Sequence, residues 1–256
     1  MPLGEQLLPL LKNVPGLQFE TVPSCGSTNS VLLERARGGD IRPRLLMAEE
    51  QTQGRGRQGR PWQSSAGASL TFSLALPLKP QDWLGLSLAA GVALADALDP
   101  AGHHITLKWP NDLWLHGRKL GGILIETVAA AHTRVCVVGV GINILPQSFE
   151  GLATGYAALQ EIDPQVTAAS ACAAVAGSLV LVLQRFEAEG FAPFAARFAE
   201  RDMLRGQTIT TTLATLPQGV AEGVDAQGAL LVRAGALHRL TSGEVSVRPA
   251  SAPTLA

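Results

Sequence analysis

Neither sign of charge is in surplus: 20 Lys and Arg face 21 Asp and Glu across 256 residues. Proteins that hold nucleic acid through its phosphates carry a basic excess, at least regionally. Here basic residues gather only in short clusters, which argues against bulk electrostatic capture of DNA. Cysteine is scarce and odd in number. Cys25, Cys136 and Cys172 lie far apart and form no C-x-x-C pair, which speaks against a disulfide framework and suits a reducing cytoplasm. The opening stretch MPLGEQLLPLLKN has neither a positive leader nor a small-residue cleavage site, so a secretory signal is not expected there. His103, His104, His116, His132 and His238 follow no metal-ligand spacing, and no Ser–His–Asp or Cys–His arrangement is evident. The run from Val166 to Leu183 lacks charge and approaches the length of a membrane-spanning helix. Ala, Ser and Gly dilute it, and Gln184-Arg185-Phe186-Glu187 continues it, so a core helix is expected and no membrane span.

What is present suffices for a sizeable core: 46% of residues are hydrophobic and 16% charged, a balance that disfavours disorder. Ser27-Thr28-Asn29 ahead of VLLERAR and Gly38-Gly39 predicts a short capped helix with a glycine stop. Arg44 to Glu50 and Ser69 to Leu78 read as strands, and Leu84 to Leu98 as a helix. Ile105 to Trp109, Leu113 to Leu115, Leu120 to Val128 and Arg134 to Ile144 read as strands joined by short turns. Such strands are antiparallel neighbours, because parallel ones need long crossovers. Helices are expected over about 164–188, capped by Asp163-Pro164, and over 191–203. Beyond Arg205, TITTTLAT and regularly spaced glycines break up short apolar stretches, the pattern of a small all-β barrel. PASAPTLA reads as a loose tail. No internal repeat is found. The expected class is α+β: a central mixed, largely antiparallel sheet flanked by helices over 1–203, not alternating βαβ units, then the barrel over 204–256.

Two constellations carry chemistry. In the first, QTQGRGRQGRPW (51–62), Gly54 to Gly59 spells G-x-G-x-x-G. A dinucleotide-binding turn needs an amphipathic helix opening from it, and Arg60-Pro61-Trp62-Gln63-Ser64-Ser65-Ala66-Gly67 is no helix. Two readings remain. One is a solvated surface loop. The other is a closing loop, whose arginines fork onto phosphate oxygens and whose glycines let backbone N–H groups approach an anion. Disorder without ligand and order over a reactive anionic intermediate would suit the second. The loop by itself does not decide.

The second constellation is LKWPNDLWLHGRKLGGILIE (107–126). Alternation along a strand sends Lys108 and Trp109 to opposite faces. A lysine among apolar strand residues is costly to bury without an anion, or else it snorkels to the surface. Gly121-Gly122 marks either a bulge or the close approach of a ligand or another backbone.

Gly54-Arg55-Gly56-Arg57-Gln58-Gly59-Arg60, Lys108-Trp109-Pro110-Asn111-Asp112-Leu113, Arg118 to Glu126, and Gly139-Val140-Gly141-Ile142-Asn143 resemble, in order, the motifs of bacterial biotin–protein ligases. Ser27-Thr28-Asn29 and Gln51 match two further positions. Gly223 to Leu230 and Ser242 to Ser246 resemble the small SH3-like C-terminal domain of that family. The resemblance spans about residues 20–248. It implies two steps, biotinyl-5′-AMP formation from biotin and ATP, then transfer of biotin to a lysine of a biotin carboxyl carrier protein domain. Neither needs a protein nucleophile. Mg²⁺ would arrive with ATP, and its ligands stay open, with Asp112 and Glu126 as the acidic residues at hand.

Carried over by residue, the resemblance assigns catalysis to Lys108 and Arg57. Ser27, Thr28, Asn29, Gln51, Gly54, Arg55, Gly56, Lys108, Gly121 and Gly122 fall to biotin. Arg55, Arg57, Arg60, Trp62, Asn111, Lys119, Asn143 and Tyr156 fall to the nucleotide. Tyr156 either stacks on adenine or is a plain surface tyrosine. Some relatives carry an N-terminal DNA-binding domain. Ser27 stands too near the start of this sequence for one, so a ligase without operator binding is expected. Homodimers and monomers both occur in the family, which leaves the oligomeric state open. Two rivals compete. A lipoate or octanoate ligase would lack both motif blocks. A single-strand nucleic-acid module would clamp phosphates with Arg55, Arg57 and Arg60 and stack bases on Trp62.

Overall fold

The computed structural model describes residues 14–130, 132–147, 155–241 and 247–249. The opening stretch, the motif at 242–246 and the tail after Pro249 lie outside the described residues. Seven strands form the central sheet: β1 (Gln18–Cys25), β2 (Arg44–Gln51), β3 (Ser69–Pro77), β4 (Ile105–Lys108), β5 (Asp112–Leu115), β6 (Arg118–Ala130) and β7 (Thr133–Asn143). Their order is β1-β2-β3-β7-β6-β5-β4. Every neighbouring pair is antiparallel except β1–β2, which is parallel. The crossover between those two is α1 (Thr28–Arg37). One βαβ unit therefore stands at one edge and makes the sheet mixed and largely antiparallel, as expected. QFETVPSC escaped notice because an edge strand with half-exposed positions on both faces shows no clean alternation.

α1 covers one face of the sheet, where Leu32, Leu33 and Ala36 meet Leu46, Ala75, Val135 and Val137. The opposite face carries the larger core under α2 (Leu86–Leu98) and α3 (Ala168–Glu189). Helix α3 begins four residues later than expected. Thr167 and Ser170 form a reciprocal capping box, while the Asp163 carboxylate accepts from Gln165 N in the preceding turn. Length and apolarity would let α3 cross a membrane, yet Cys172, Val175, Ala176, Leu179, Val180, Leu183 and Phe186 are buried against the sheet's core. The helix expected at 191–203 divides into a 3-10 turn (Ala192–Phe194) and α4 (Ala195–Arg201), with Pro193 inside the turn. Arg201, buried on α4, donates to the Asp99 carboxylate at 3.1 Å and to Ile105 O at 2.8 Å, which clamps the start of β4.

The C-terminal strands β8 (Thr208–Thr211), β9 (Gln218–Val224), β10 (Leu230–Ala234), β11 (Ala236–Leu240) and β12 (Val247–Pro249) make an antiparallel sheet ordered β11-β10-β9-β8-β12. It is seated tightly on the larger sheet's helices. A Cβ on Gly228 (φ +88°) would lie 2.7 Å from Gly85 Cα, and the indole of fully buried Trp109 donates to Gly228 O at 3.2 Å.

Candidate active site

Residues paired across neighbouring strands share a face. One rung runs over all seven strands: Val22, Ala48, Thr71, Gly141, Gly122, Asp112, Lys108. The middle of this rung has no side chains. A cavity of about 220 Å³ lies over it. Ser27, Thr28, Asn29 and Gln51 line it towards β2, and Lys108, Asp112 and Lys119 towards β4.

The glycines are seats for side chains arriving from elsewhere. A Cβ on Gly139 would stand 2.3 Å from Asn29 Oδ1, and one on Gly141 would stand 2.5 Å from Trp62 Cε2. A Cβ on Gly121 would meet Gly141 O at 2.6 Å, so that glycine serves backbone approach between β6 and β7. The pairing also slips between Leu113 and Trp114 opposite this point. Gly121-Gly122 therefore sits at both a bulge and a close approach.

Ser27 has the extended conformation of a helix N-cap but makes no side-chain cap bond; it lines the cavity instead. Gln51 Oε1 accepts from Thr28 N at 2.7 Å and lies 3.1 Å from Thr28 Oγ1. Fully buried Ser73 lies 2.6 Å from both Thr28 Oγ1 and Asn29 Oδ1.

The glycine-arginine loop is a compact hairpin. Arg55 bridges Pro61, Gly56 N donates to Arg60 O at 2.7 Å, and Trp62 N donates to Gly54 O at 2.8 Å. Its tip is a 3-10 turn, where Gln58 and Gly59 take positive φ. Gly54 is needed at the base, because a Cβ there would meet Trp62 O at 2.4 Å. Arg55 pairs with Glu126 at 2.8 Å. Arg57, Arg60 and Trp62 line the cavity. Among the described residues the buried Trp62 indole N–H has no partner, a donor left for whatever the cavity holds.

Lys108 and Trp109 do diverge: Trp109 enters the core and Lys108 enters the cavity. Lys108 Nζ lies 5.4 Å from the Trp114 ring centroid, while the nearby Asp112 carboxylate is paired with Lys119 at 2.8 Å. Burial holds the Lys108 ammonium below its ordinary pKa of 10.5; Asp112 acts the other way, and Lys119, Arg248 and Arg60 push it lower still. Burial likewise lowers Arg57, with Asp112 opposing. Cations that are desolvated and repel one another are stabilised by an anion placed among them.

Not every expected residue reaches the cavity wall. Asn143 is buried and donates to Ala157 O at 3.1 Å. It tethers the segment bearing Tyr156. Gly54 and Gly121 likewise act through backbone packing. Asn111 donates to Ile123 O at 2.8 Å and, with Tyr156, lines the cavity; burial raises the Tyr156 phenol. Sequence reasoning gave no site role to Gly139 and Gly141, and it missed Ser73, Leu124, and Val247 and Arg248, which the C-terminal sheet inserts into the cavity. The GVGIN motif flagged the two glycines; nothing flagged Arg248. Glu126 and Asp112 are already engaged by Arg55, Asn29 and Lys119. Among the described residues no group of three or more His, Cys, Asp or Glu converges, so this donor set does not fit a protein-only metal cage.

A profile of the biotin/lipoate A/B protein ligase family matches residues 23–143, and one of the biotin protein ligase C-terminal domain matches 206–248. The bifunctional ligase/repressor BirA of Escherichia coli is 34% identical over 252 residues, 94% of this chain and 77% of that protein. The biotin–[acetyl-CoA-carboxylase] ligase of Mycobacterium tuberculosis is 39% identical over 158 residues, 59% of this chain and 54% of that one. Among solved structures, Aquifex aeolicus biotin protein ligase in complex with biotin and ATP superposes with a TM-score of 0.77 at 26% identity, covering 92% of this chain and 100% of that one.

Proposed function

The chain belongs to the biotin protein ligase family: it is an ATP-dependent ligase that forms biotinyl-5′-AMP and transfers the biotin, and we propose how its residues divide that work. The biotin ureido ring lies against Thr28, Gln51 and Asn29. The valeryl chain crosses the glycine floor towards Lys108. A carboxylate oxygen of biotin attacks the α-phosphorus of ATP, and the bond from that phosphorus to the bridging oxygen breaks as pyrophosphate leaves. Lys108 offsets the negative charge of the two groups as they approach. Arg57 and Arg60 close over the phosphate, and Arg248 adds a charge from the C-terminal sheet. Tyr156 and Trp62 flank the nucleotide. In the second step the amine of a lysine on a carboxyl carrier domain attacks the acyl carbon, AMP leaves with the bonding pair, and the new amide loses a proton.

The observation that carries this reading is the buried ammonium of Lys108, desolvated beside other cations at one end of a glycine-floored groove. Preorganised positive charge, aimed where negative charge gathers, lowers the barrier of such a reaction more than any other single device. We assign Mg²⁺ to the triphosphate rather than to a resident protein site, in keeping with the donor set. We take 1–203 as the ligase domain and 204–256 as a domain that completes its pocket, and we assign the protein to the cytoplasm, in keeping with three unpaired cysteines.

The test is mass-detected biotin transfer to a carrier-domain peptide, with ATP present or omitted. Biotinyl-5′-AMP and an ATP-dependent mass shift on one lysine are expected. A chain that makes no adenylate from biotin and MgATP would refute the assignment.

A further inference from the structure

We propose that Ser73 and Glu126 are positioning residues that join Thr28 and the hairpin's Arg55 into one hydrogen-bonded unit through Asn29. The proposal rests on the ligase reading of this pocket and deepens it, because neither residue touches the reacting atoms.

The directions of the hydrogen bonds follow from the chemistry of each atom. Asn29 Nδ2 faces Leu124 O at 3.2 Å and Glu126 Oε2 at 2.9 Å. A carbonyl and a carboxylate only accept, so the amide orientation is fixed. Asn29 Oδ1 must then accept the single hydroxyl proton of Ser73, at 2.6 Å. Thr28 Oγ1 stands on the other side of Ser73 Oγ, also at 2.6 Å, and 3.1 Å from Gln51 Oε1, so its own single proton is shared out between those two neighbours and Ser73 touches Thr28 either way. From the other end, Arg55 Nη1 donates to Glu126 Oε1 at 2.8 Å and Nη2 to Ser30 Oγ at 3.3 Å. The chain runs Thr28 to Ser73 to Asn29 to Glu126, and Arg55 closes it.

The sheet explains how these groups meet. Ser73 is on β3 and Glu126 on β6, with β7 between them. Ser73, Gly139 and Leu124 share one rung, and Glu126 is two residues along β6 from Leu124. Only because Gly139 has no Cβ does the Asn29 side chain lie across β7 and reach both neighbours. Fixing Arg55 also fixes the hairpin stem, since Arg55 pairs with Pro61 and Trp62 N donates back to Gly54 O. Ser73 is fully buried between its two partners, and charge-assisted bonds at Glu126 are the strong ones of the set.

The test uses the full chain and four variants: Ser73→Ala, Glu126→Gln, Arg55→Gln and the Glu126→Gln/Arg55→Gln pair. Glu126→Gln keeps the shape but sets an amide N–H₂ against a donor, so one link fails. Biotinyl-5′-AMP is expected to dissociate about tenfold faster from it, the loss of roughly one charged hydrogen bond. The double variant is expected to match Glu126→Gln alone. The decisive readout is Ser73→Ala: trypsin cleavage after Arg57 is expected to quicken, although Ser73 lies beneath the biotin side and outside the hairpin. Higher biotin KM in Ser73→Ala with unchanged hairpin cleavage would overturn the linkage, as would a lowered Tm in Glu126→Gln with unchanged dissociation. If Ser73→Ala does not fold, additive Glu126 and Arg55 effects overturn it instead. The cleavage assay needs no ATP, so a chain inactive as a ligase would sink the functional reading and leave this linkage separately testable.

Discussion

The two ends of the pocket are built on different principles. At the Thr28 end, Thr28, Asn29 and Ser73 are buried and hydrogen-bonded to one another on a helix start and a central strand. At the Lys108 end the cations come from separate pieces of chain: the hairpin, β4, β6 and β12. In the proposed division the first end recognises shape with bonds already made. The second holds positive charges that oppose one another, since Lys119, Arg248 and Arg60 all disfavour the charged form of Lys108. Shape is read by structure that is complete beforehand, and anionic chemistry by a charge balance that the substrate completes.

The largest expected effect breaks the charged end alone. Lys108→Ala should lower the rate of adenylate formation by ~10²–10³, the loss usual for one preorganised donor, with the fold intact. Pyrophosphate release at close to the wild-type rate would remove Lys108 from the mechanism.

Next come two alanines two residues apart on β7, which sharpen the contrast because each displaces a different end. Gly139→Ala forces Asn29 away, and Gly141→Ala forces Trp62 away. Overpacking of this kind costs roughly 1–3 kcal/mol. Gly139→Ala should raise the biotin KM about tenfold or more and leave the ATP KM alone, whereas Gly141→Ala should raise the dissociation rate of the adenylate. Identical kinetic profiles for the two would mean that the pocket does not divide as described.

Legibility divides along the same line. Motif residues on strands and at the start of α1 were readable, because alternation and glycine pairs leave marks in a linear sequence. Ser73 was readable only as a strand residue, since nothing local says which neighbour a buried hydroxyl will meet. Arg248 was invisible, for its place depends on a separate sheet docking against Gly85 and Trp109. The bond from Asn143 to Ala157 O was not readable, because a motif position does not reveal which loop a side chain tethers. In the fold, β1 was lost to its edge position, and the start of α3 was misplaced because two caps competed and Thr167 with Ser170 satisfied more backbone donors than Asp163.

A pH profile probes the charged end more gently. In the proposed mechanism Lys108 acts in its protonated form, and its folded pKa is below 10.5 chiefly through burial, with Asp112 opposing that shift. Adenylate formation should therefore fall as pH rises through the lowered value. Asp112→Asn removes the opposing charge, so the fall should move to lower pH. A profile of pyrophosphate release against pH checks this, and an unmoved or upward-shifted limb would contradict it.

The smallest expected effect separates docking from chemistry. Trp109 reaches away from the pocket to Gly228 O, so Trp109→Phe should act on the reaction only by loosening the sheet that carries Arg248. Loss of one neutral hydrogen bond, about 1 kcal/mol, corresponds to a change of roughly fivefold at most, expected in the ATP KM. Arg248→Ala should produce a similar rise. In the Arg248→Ala background, Trp109→Phe should add nothing further to the ATP KM, while it still lowers Tm. If the two effects multiply instead, Trp109 acts on β4 and Lys108 directly, and the charged end owes less to the C-terminal sheet than its position implies.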